Sequence, residues 1–228
     1  VIPPVFGPFT TVLNLAGNLF SGELPTLPYL MRIVDLSSNS LSGTVSSNFL
    51  YSLGNAGVIK VNNNQLTGSI PDGFRGINAL LSVMELDLRN NLFSGALPPG
   101  IGRLCCKVKL KALYLSNNSF SGQVPSLKNL VYLEDLRLDN NRFTGSTDPK
   151  DNMGFVEAGS QLHLERVSLG YNLFNGTMSK SIFELPKIKT FMADSNCFSG
   201  ALPAEAICAA TTLEELILSG LSTGKKCR

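Results

Sequence analysis

The residue types that most often carry chemistry are sparse in this chain, and their spacing limits what they can do. There is one histidine, His163, set between Leu162 and Leu164 at what reads as the edge of a structural unit. A single imidazole excludes a multi-histidine metal site, and any Ser-His-Asp arrangement would depend on that one ring. The five cysteines, Cys105, Cys106, Cys197, Cys208 and Cys227, contain no C-x-x-C spacing, which weighs against zinc. No glycine-rich phosphate loop or paired-carboxylate pattern stands out. We therefore expect no catalytic residue, no metal and no cofactor. Two N-x-S/T sequons begin at Asn117 and Asn175, candidate glycosylation sites of a secreted chain. A formal net charge of +2 gives no electrostatic footprint for nucleic acid. No apolar run reaches the roughly 18 residues of a membrane helix, so no membrane segment is expected here.

The residue with a pattern is asparagine. The chain holds 36 Leu and 20 Asn in 228 residues. Asn is a poor former of helices and strands and needs partners when buried, so its abundance must serve something repeated. Eight of them, Asn18, Asn39, Asn64, Asn91, Asn118, Asn141, Asn172 and Asn196, recur at spacings of 21, 25, 27, 27, 23, 31 and 24 residues. Apolar residues stand five and three positions before each, as Leu86 and Leu88 do before Asn91. Phe or Leu stands two after and Gly four after in all eight, and Pro follows in five, from Pro25 to Pro203.

These spacings dictate elements. Apolar residues alternating around polar ones give a strand of about three residues with its apolar side turned inward. The Asn follows where the chain turns, and its amide can satisfy backbone groups that the turn leaves unpaired. Stacked units would align these amides as a ladder and the Phe residues as a spine. The Gly suits a backbone conformation or close approach that a Cβ would block. A unit of this size cannot bury its own core, so stability has to come from its neighbours.

The pattern resembles the leucine-rich repeat, L-x-x-L-x-L-x-x-N-x-L. The added segment Phe93-Ser94-Gly95-Ala96-Leu97-Pro98 resembles the plant-type extracellular subclass, found in receptor kinase ectodomains, receptor-like proteins and polygalacturonase-inhibiting proteins. The resemblance implies an α/β solenoid: a right-handed superhelix with short parallel strands on the concave face and loops, 3-10 turns or short helices on the convex face. It covers residues 1–228 as one domain of about eight full repeats, with a partial first and an atypical capping last. Ile2-Pro3-Pro4 matches the end of a repeat whose Asn would precede residue 1, so truncation at the N-terminus is expected.

The long spacing between Asn141 and Asn172 contains the polar, turn-rich stretch Asp148–Gly154, a surface loop or an island shaping a ligand surface. Related extracellular repeats often close with a terminal disulfide, which implies Cys208–Cys227 here. Cys197–Cys208 stays open, because connectivity cannot be read from spacing. A bond between the adjacent Cys105 and Cys106 would be strained.

The strand positions four and two before each Asn face solvent together. The first column reads Asn14, Asp35, Lys60, Asp87, Tyr114, Arg137, Ser168 and Met192, the second Ala16, Ser37, Asn62, Arg89, Ser116, Asp139, Gly170 and Asp194. Tyr and Arg are common interface anchors. Lys60, Asn62, Asp87, Arg89, Tyr114, Arg137 and Asp139 are the candidate ligand-binding surface, unless the charges simply neutralise one another on neighbouring strands. The resemblance implies a non-catalytic extracellular or cell-surface module that binds a peptide, protein or glycan, with a co-receptor as a further partner. The alternative is a secreted glycosidase inhibitor or adhesion protein using the same face.

Overall fold

Two strands form in each of eight successive coils, and they belong to different sheets; the last coil adds one strand among the described residues. The computed structural model describes all residues except 4–5, 73–81, 104–108, 148–154, 158 and 223–228. Numbered in chain order, the odd strands are β1 (Val12–Asn14), β3 (Ile33–Asp35), β5 (Val58–Lys60), β7 (Glu85–Asp87), β9 (Ala112–Tyr114), β11 (Asp135–Arg137), β13 (Arg166–Ser168), β15 (Thr190–Met192) and β17 (Glu215–Ile217). They form one parallel nine-stranded sheet in that order. Its register aligns the inward column, from Leu13 beside Val34 through Leu86 beside Leu113 to Phe191 beside Leu216.

The even strands lie just past each anchor Asn: β2 (Ser21–Gly22), β4 (Ser40–Thr44), β6 (Gln65–Gly68), β8 (Leu92–Gly95), β10 (Ser119–Gln123), β12 (Arg142–Gly145), β14 (Leu173–Gly176) and β16 (Cys197–Phe198). They make a second parallel sheet of eight strands. Alternation in the sequence shows only the first strand of each coil; the second is set by the ladder and by the packing beneath it. The remaining side of each coil varies. It holds helix α1 (Ser47–Ser52), whose N-terminus is capped by Ser46 Oγ accepting from Phe49 N at 3.1 Å, helix α2 (Ala204–Ala209), and 3-10 turns at Pro99–Arg103 and Lys180–Ile182.

The asparagine amides connect consecutive coils. Asn91 Nδ2 donates to Leu88 O and Arg89 O of its own coil and to Val61 O of the coil before, at 3.0–3.2 Å. Its Oδ1 accepts from Leu66 N, also in the coil before, at 3.0 Å. The same four contacts recur at Asn64, Asn141 and Asn172. Asn196, fully buried, repeats them toward Leu169 and Phe174. Asn18 donates within its own coil, to Leu15 O and Ala16 O.

Behind the second sheet the phenylalanines stack. Ring centroids of Phe93, Phe120, Phe143, Phe174 and Phe198 follow one another at 5.8, 6.1, 6.2 and 6.4 Å. The glycine four after each Asn has φ between +73° and +96°. At Gly68 a Cβ would also come within 3.0 Å of Thr44 Cγ2, so both backbone and space demand glycine there. The residue just before each anchor Asn is left-handed too; it is Gly, Ser or Asn everywhere except Tyr171, at φ +54°.

The stretch Asp148–Gly154 lies outside the described residues, but the chain re-enters the core after it: Phe155 packs on Phe174 at 5.7 Å, and buried Gln161 donates to Leu127 O. The expected Cys208–Cys227 disulfide is corrected. Cys208 is an exposed free thiol on α2. That also removes Cys197–Cys208. It is Cys197, at the start of β16, that is disulfide-bonded. Helix α2 turns Cys208 to solvent. Cys105, Cys106 and Cys227 lie outside the described residues.

Candidate functional site

Strand pleating decides which side chains leave the nine-stranded sheet. Alternate residues share a face, so three columns point outward: those six, four and two before each anchor Asn. The sequence reading named the last two. The missed column runs Val12, Ile33, Val58, Glu85, Ala112, Asp135, Arg166, Thr190 and Glu215. One further step of the same alternation would have found it.

The missed column supplies two of the cluster's partners, Glu85 and Asp135; the third, Asp87, belongs to the cluster itself. Asp87, almost fully buried, receives Arg89 through two bonds, Nε to Oδ1 at 2.9 Å and the terminal guanidinium nitrogen to Oδ2 at 2.7 Å. Asp135 receives Arg137 in the same forked way, at 3.1 and 2.9 Å. Lys60 pairs with Glu85 at 3.0 Å. Of the alternative in which Asp87, Arg89, Arg137 and Asp139 neutralise one another on neighbouring strands, the Asp87–Arg89 pair forms, but within one segment, and Arg137 pairs with Asp135 instead. Both arginines pair two residues away along their own chain segment, because such residues project side by side from one face. Asp139 instead accepts from Ser116 Oγ at 2.7 Å and Asn140 Nδ2 at 3.1 Å.

Tyr114 sits between the two arginines. The Arg89 guanidinium carbon lies 4.6 Å from its ring centroid and that of Arg137 lies 5.1 Å away. Its hydroxyl donates to Asp135 Oδ2 at 3.2 Å. Burial and the Asp135 carboxylate push the phenol above its ordinary pKa. The bond to Asp87 holds the Arg89 guanidinium still more firmly protonated, and Asp135 does the same for Arg137. The result is a half-buried aromatic platform with its hydroxyl, its two faces and both neighbouring charges already fixed. Asn62 stands one coil before Arg89 in the same column, and its Oδ1 is buried without a hydrogen-bond partner among the described residues.

The other chemistry-bearing residues lie elsewhere. His163 is exposed and stacks on Tyr132 at 6.1 Å, with Lys187 Nζ 3.4 Å from Nδ1. Ser160 and Glu157 line the same hollow, but Ser160 Oγ bonds Glu157 at 3.4 Å and not the imidazole, so no nucleophile–base pair is formed. Among the described residues no group of three or more His, Cys, Asp and Glu is placed to hold a metal ion. Asn117 and Asn175, the sequon asparagines, are both exposed.

The Leucine Rich Repeat family model matches residues 82–104 and 109–130. Over 91% of the chain the fold superposes, with a TM-score of 0.80 and 27% identity, on 24% of the leucine-rich repeat ectodomain of the receptor kinase GASSHO1/SCHENGEN3 from Arabidopsis thaliana. The chain is similar in fold and in repeat sequence to plant leucine-rich repeat ectodomains. The GASSHO1/SCHENGEN3 structure is a complex with CASPARIAN STRIP INTEGRITY FACTOR 2. The Arabidopsis receptor kinase HAESA, in complex with the peptide hormone IDA and the co-receptor SERK1, matches 90% of this chain over 33% of its own, with a TM-score of 0.73 and 25% identity. In sequence, Receptor-like protein EIX2 of Solanum lycopersicum is 35% identical over 69 residues, and Receptor-like protein 54 of Arabidopsis thaliana is 34% identical over 73. The chain spans 7% and 9% of those two relatives. Among the described residues no helix is long and apolar enough to cross a membrane.

Proposed function

We propose that this leucine-rich repeat chain is the recognition part of an extracellular receptor-like protein, and that its nine-stranded concave face binds a peptide by contact, without catalysis. The observation that supports this reading is the Tyr114 platform. A tyrosine held between two arginines, each forked onto a buried carboxylate, is a rigid anchor of the kind that dominates interfaces. Pre-ordered side chains lose little further entropy on binding. The repeat itself does not call for Tyr, Arg or Asp at these positions, because the equivalent positions of other coils carry unlike residues, from Asn14 to Met192. Lys60, Asn62 and Asp139 flank the platform and complete the contact surface. A co-receptor would join the ligand-loaded face, as SERK1 accompanies HAESA in its complex. Exposed Asn117 and Asn175 would carry N-linked glycans.

The test is capture from a displayed library of random peptides. Tyr114→Ala combined with Arg137→Ala should release the peptides selected by the wild-type protein while the variant stays folded, its unfolding midpoint lowered by only several degrees. Peptides held equally by wild type and double variant would place recognition elsewhere.

A further inference from the structure

The first four coils depart from a rule that the later coils keep. From the fifth coil on, the residues seven before each anchor Asn are charged and pair with one another. Lys111 meets Glu134 at 2.8 Å, and Lys189 meets Glu165 at 2.8 Å. In the second, third and fourth coils the same row reads Arg32, Gly57 and Met84. Arg32 is exposed, and its guanidinium has no hydrogen-bond or ion-pair partner among the described residues. The surface around it is apolar: Phe9, Val12, Leu30, Ile33 and Met84 are 39–85% exposed. Apolar residues exposed singly are ordinary, but several on neighbouring coils around one unpaired cation form a patch of the kind that marks an interaction site.

Glycine turns that patch into a hollow. Gly57 stands in the row between Arg32 and Met84, its N–H donating to Arg32 O at 2.8 Å and its carbonyl accepting from Met84 N at 2.7 Å. It has no side chain to fill the row, so its backbone is the floor. A Cβ there would come 3.3 Å from Met84 Cε, the tip of a flexible thioether that walls one side. The hollow measures about 580 Å³ and is lined by Leu30, Ile33, Val58 and Met84 as well as Gly57. Among the described residues Arg32 supplies the one charge in its lining.

We propose that this hollow seats one apolar side chain of the bound peptide over Gly57, with an adjacent carboxylate of the same peptide paired to Arg32. The inference rests on the reading that the face binds a peptide and adds the chemistry of that peptide. The apolar side chain removes Leu30, Ile33, Val58 and Met84 from water. The carboxylate gives Arg32 the forked partner that Arg89 and Arg137 already have within the fold. Ile33 and Val58 belong to an outward column of the nine-stranded sheet, so the hollow adjoins the face that carries Tyr114. Val58 and Tyr114 lie two strand steps apart, roughly 10 Å, which an extended peptide spans in about three residues. One peptide therefore fills the hollow and reaches the Tyr114 platform.

The experiment selects a displayed random-peptide library on the wild-type chain and measures the selected peptides on Arg32→Glu, Gly57→Leu and Tyr114→Ala/Arg137→Ala, with a thermal melt and sedimentation of each protein. Selected peptides should be enriched in an aliphatic or aromatic residue adjacent to Asp or Glu. They should bind Arg32→Glu and Gly57→Leu about tenfold more weakly, and exchanging the peptide's acid for Lys should restore binding to Arg32→Glu. Arg32 is exposed, so that variant stays folded even where Gly57→Leu does not. Selected peptides without the apolar–acidic pair, or with equal affinity for Arg32→Glu, overturn the inference. If such peptides are still released by Tyr114→Ala/Arg137→Ala, peptide recognition by the face stands and only its apolar–acidic preference falls. If no variant releases them, both readings fall. A wild-type dimer that Arg32→Glu converts to a monomer would assign the patch to a second copy and overturn the inference as well.

Discussion

The two sheets of each coil share parallel pairing and coil-to-coil stacking, yet their side chains follow opposite rules. In the eight-stranded sheet the same types recur: Phe or Leu two after each Asn, then in most coils Ser or Thr, then Gly. In the nine-stranded sheet the inward column is as uniform, but the outward columns pass from Val12 to Tyr114 to Glu215 with no repetition. Where a residue meets its own equivalent above and below, every coil depends on the same contact, and stability enforces the type. Where it meets solvent, stability is nearly indifferent and binding can choose. Sequence regularity thus separates what holds this protein together from what it presents.

Mutation can break that contrast. Phe143→Ala empties a fully buried site between two stacked rings and should cost about 3–5 kcal/mol. Tyr114→Ala, an aromatic truncation of similar size on the other sheet, should cost only about 1 kcal/mol. Urea unfolding of the pair measures this, and equal costs would dissolve the distinction.

A smaller effect separates adjacent residues of one turn. Asn118 bonds Leu88 O, Leu115 O and Ser116 O, and accepts from Phe93 N. Asn118→Ala should cost on the order of 1–3 kcal/mol by stranding those groups. Its neighbour Asn117 is exposed, and replacing it by Gly, which tolerates φ +56°, should leave the unfolding midpoint nearly unchanged. If both substitutions shift the midpoint alike, the ladder is not what joins the coils.

The smallest effect has the opposite sign. Tyr171 is a bulky residue in a left-handed position that the equivalent turns fill with Gly, Ser or Asn. Tyr171→Asn should stabilise by about 1 kcal/mol, since Asn accepts this conformation readily. A lower midpoint would instead show that the exposed ring makes a stabilising contact of its own.

The repeat made much of this legible. The anchor asparagines, the inward leucines, the phenylalanine spine and the glycine positions all align by spacing along the chain, because each is fixed by its place in the coil. The outward columns at Tyr114 and Arg137 were equally visible as surface. The column containing Glu85 and Asp135 escaped because it begins one pleat earlier than the recurring motif. The second sheet escaped because its strands carry Ser, Gly and Phe instead of a clean alternation.

The sequence alone therefore determined the coil, its register and the identity of the residues facing in and out. Period and pleat are local properties, and they repeat wherever the pattern repeats. Only the tertiary structure decided which charges meet, that Arg89 and Arg137 clamp Tyr114, and that Cys197 is disulfide-bonded while Cys208 is free. The clamp on Tyr114 depends on how side chains of neighbouring coils, 21 to 31 residues apart in sequence, lie across the gap between them. The forks of Arg89 on Asp87 and Arg137 on Asp135 lie within one coil, where spacing allows the pair but does not choose it over a partner on the next strand.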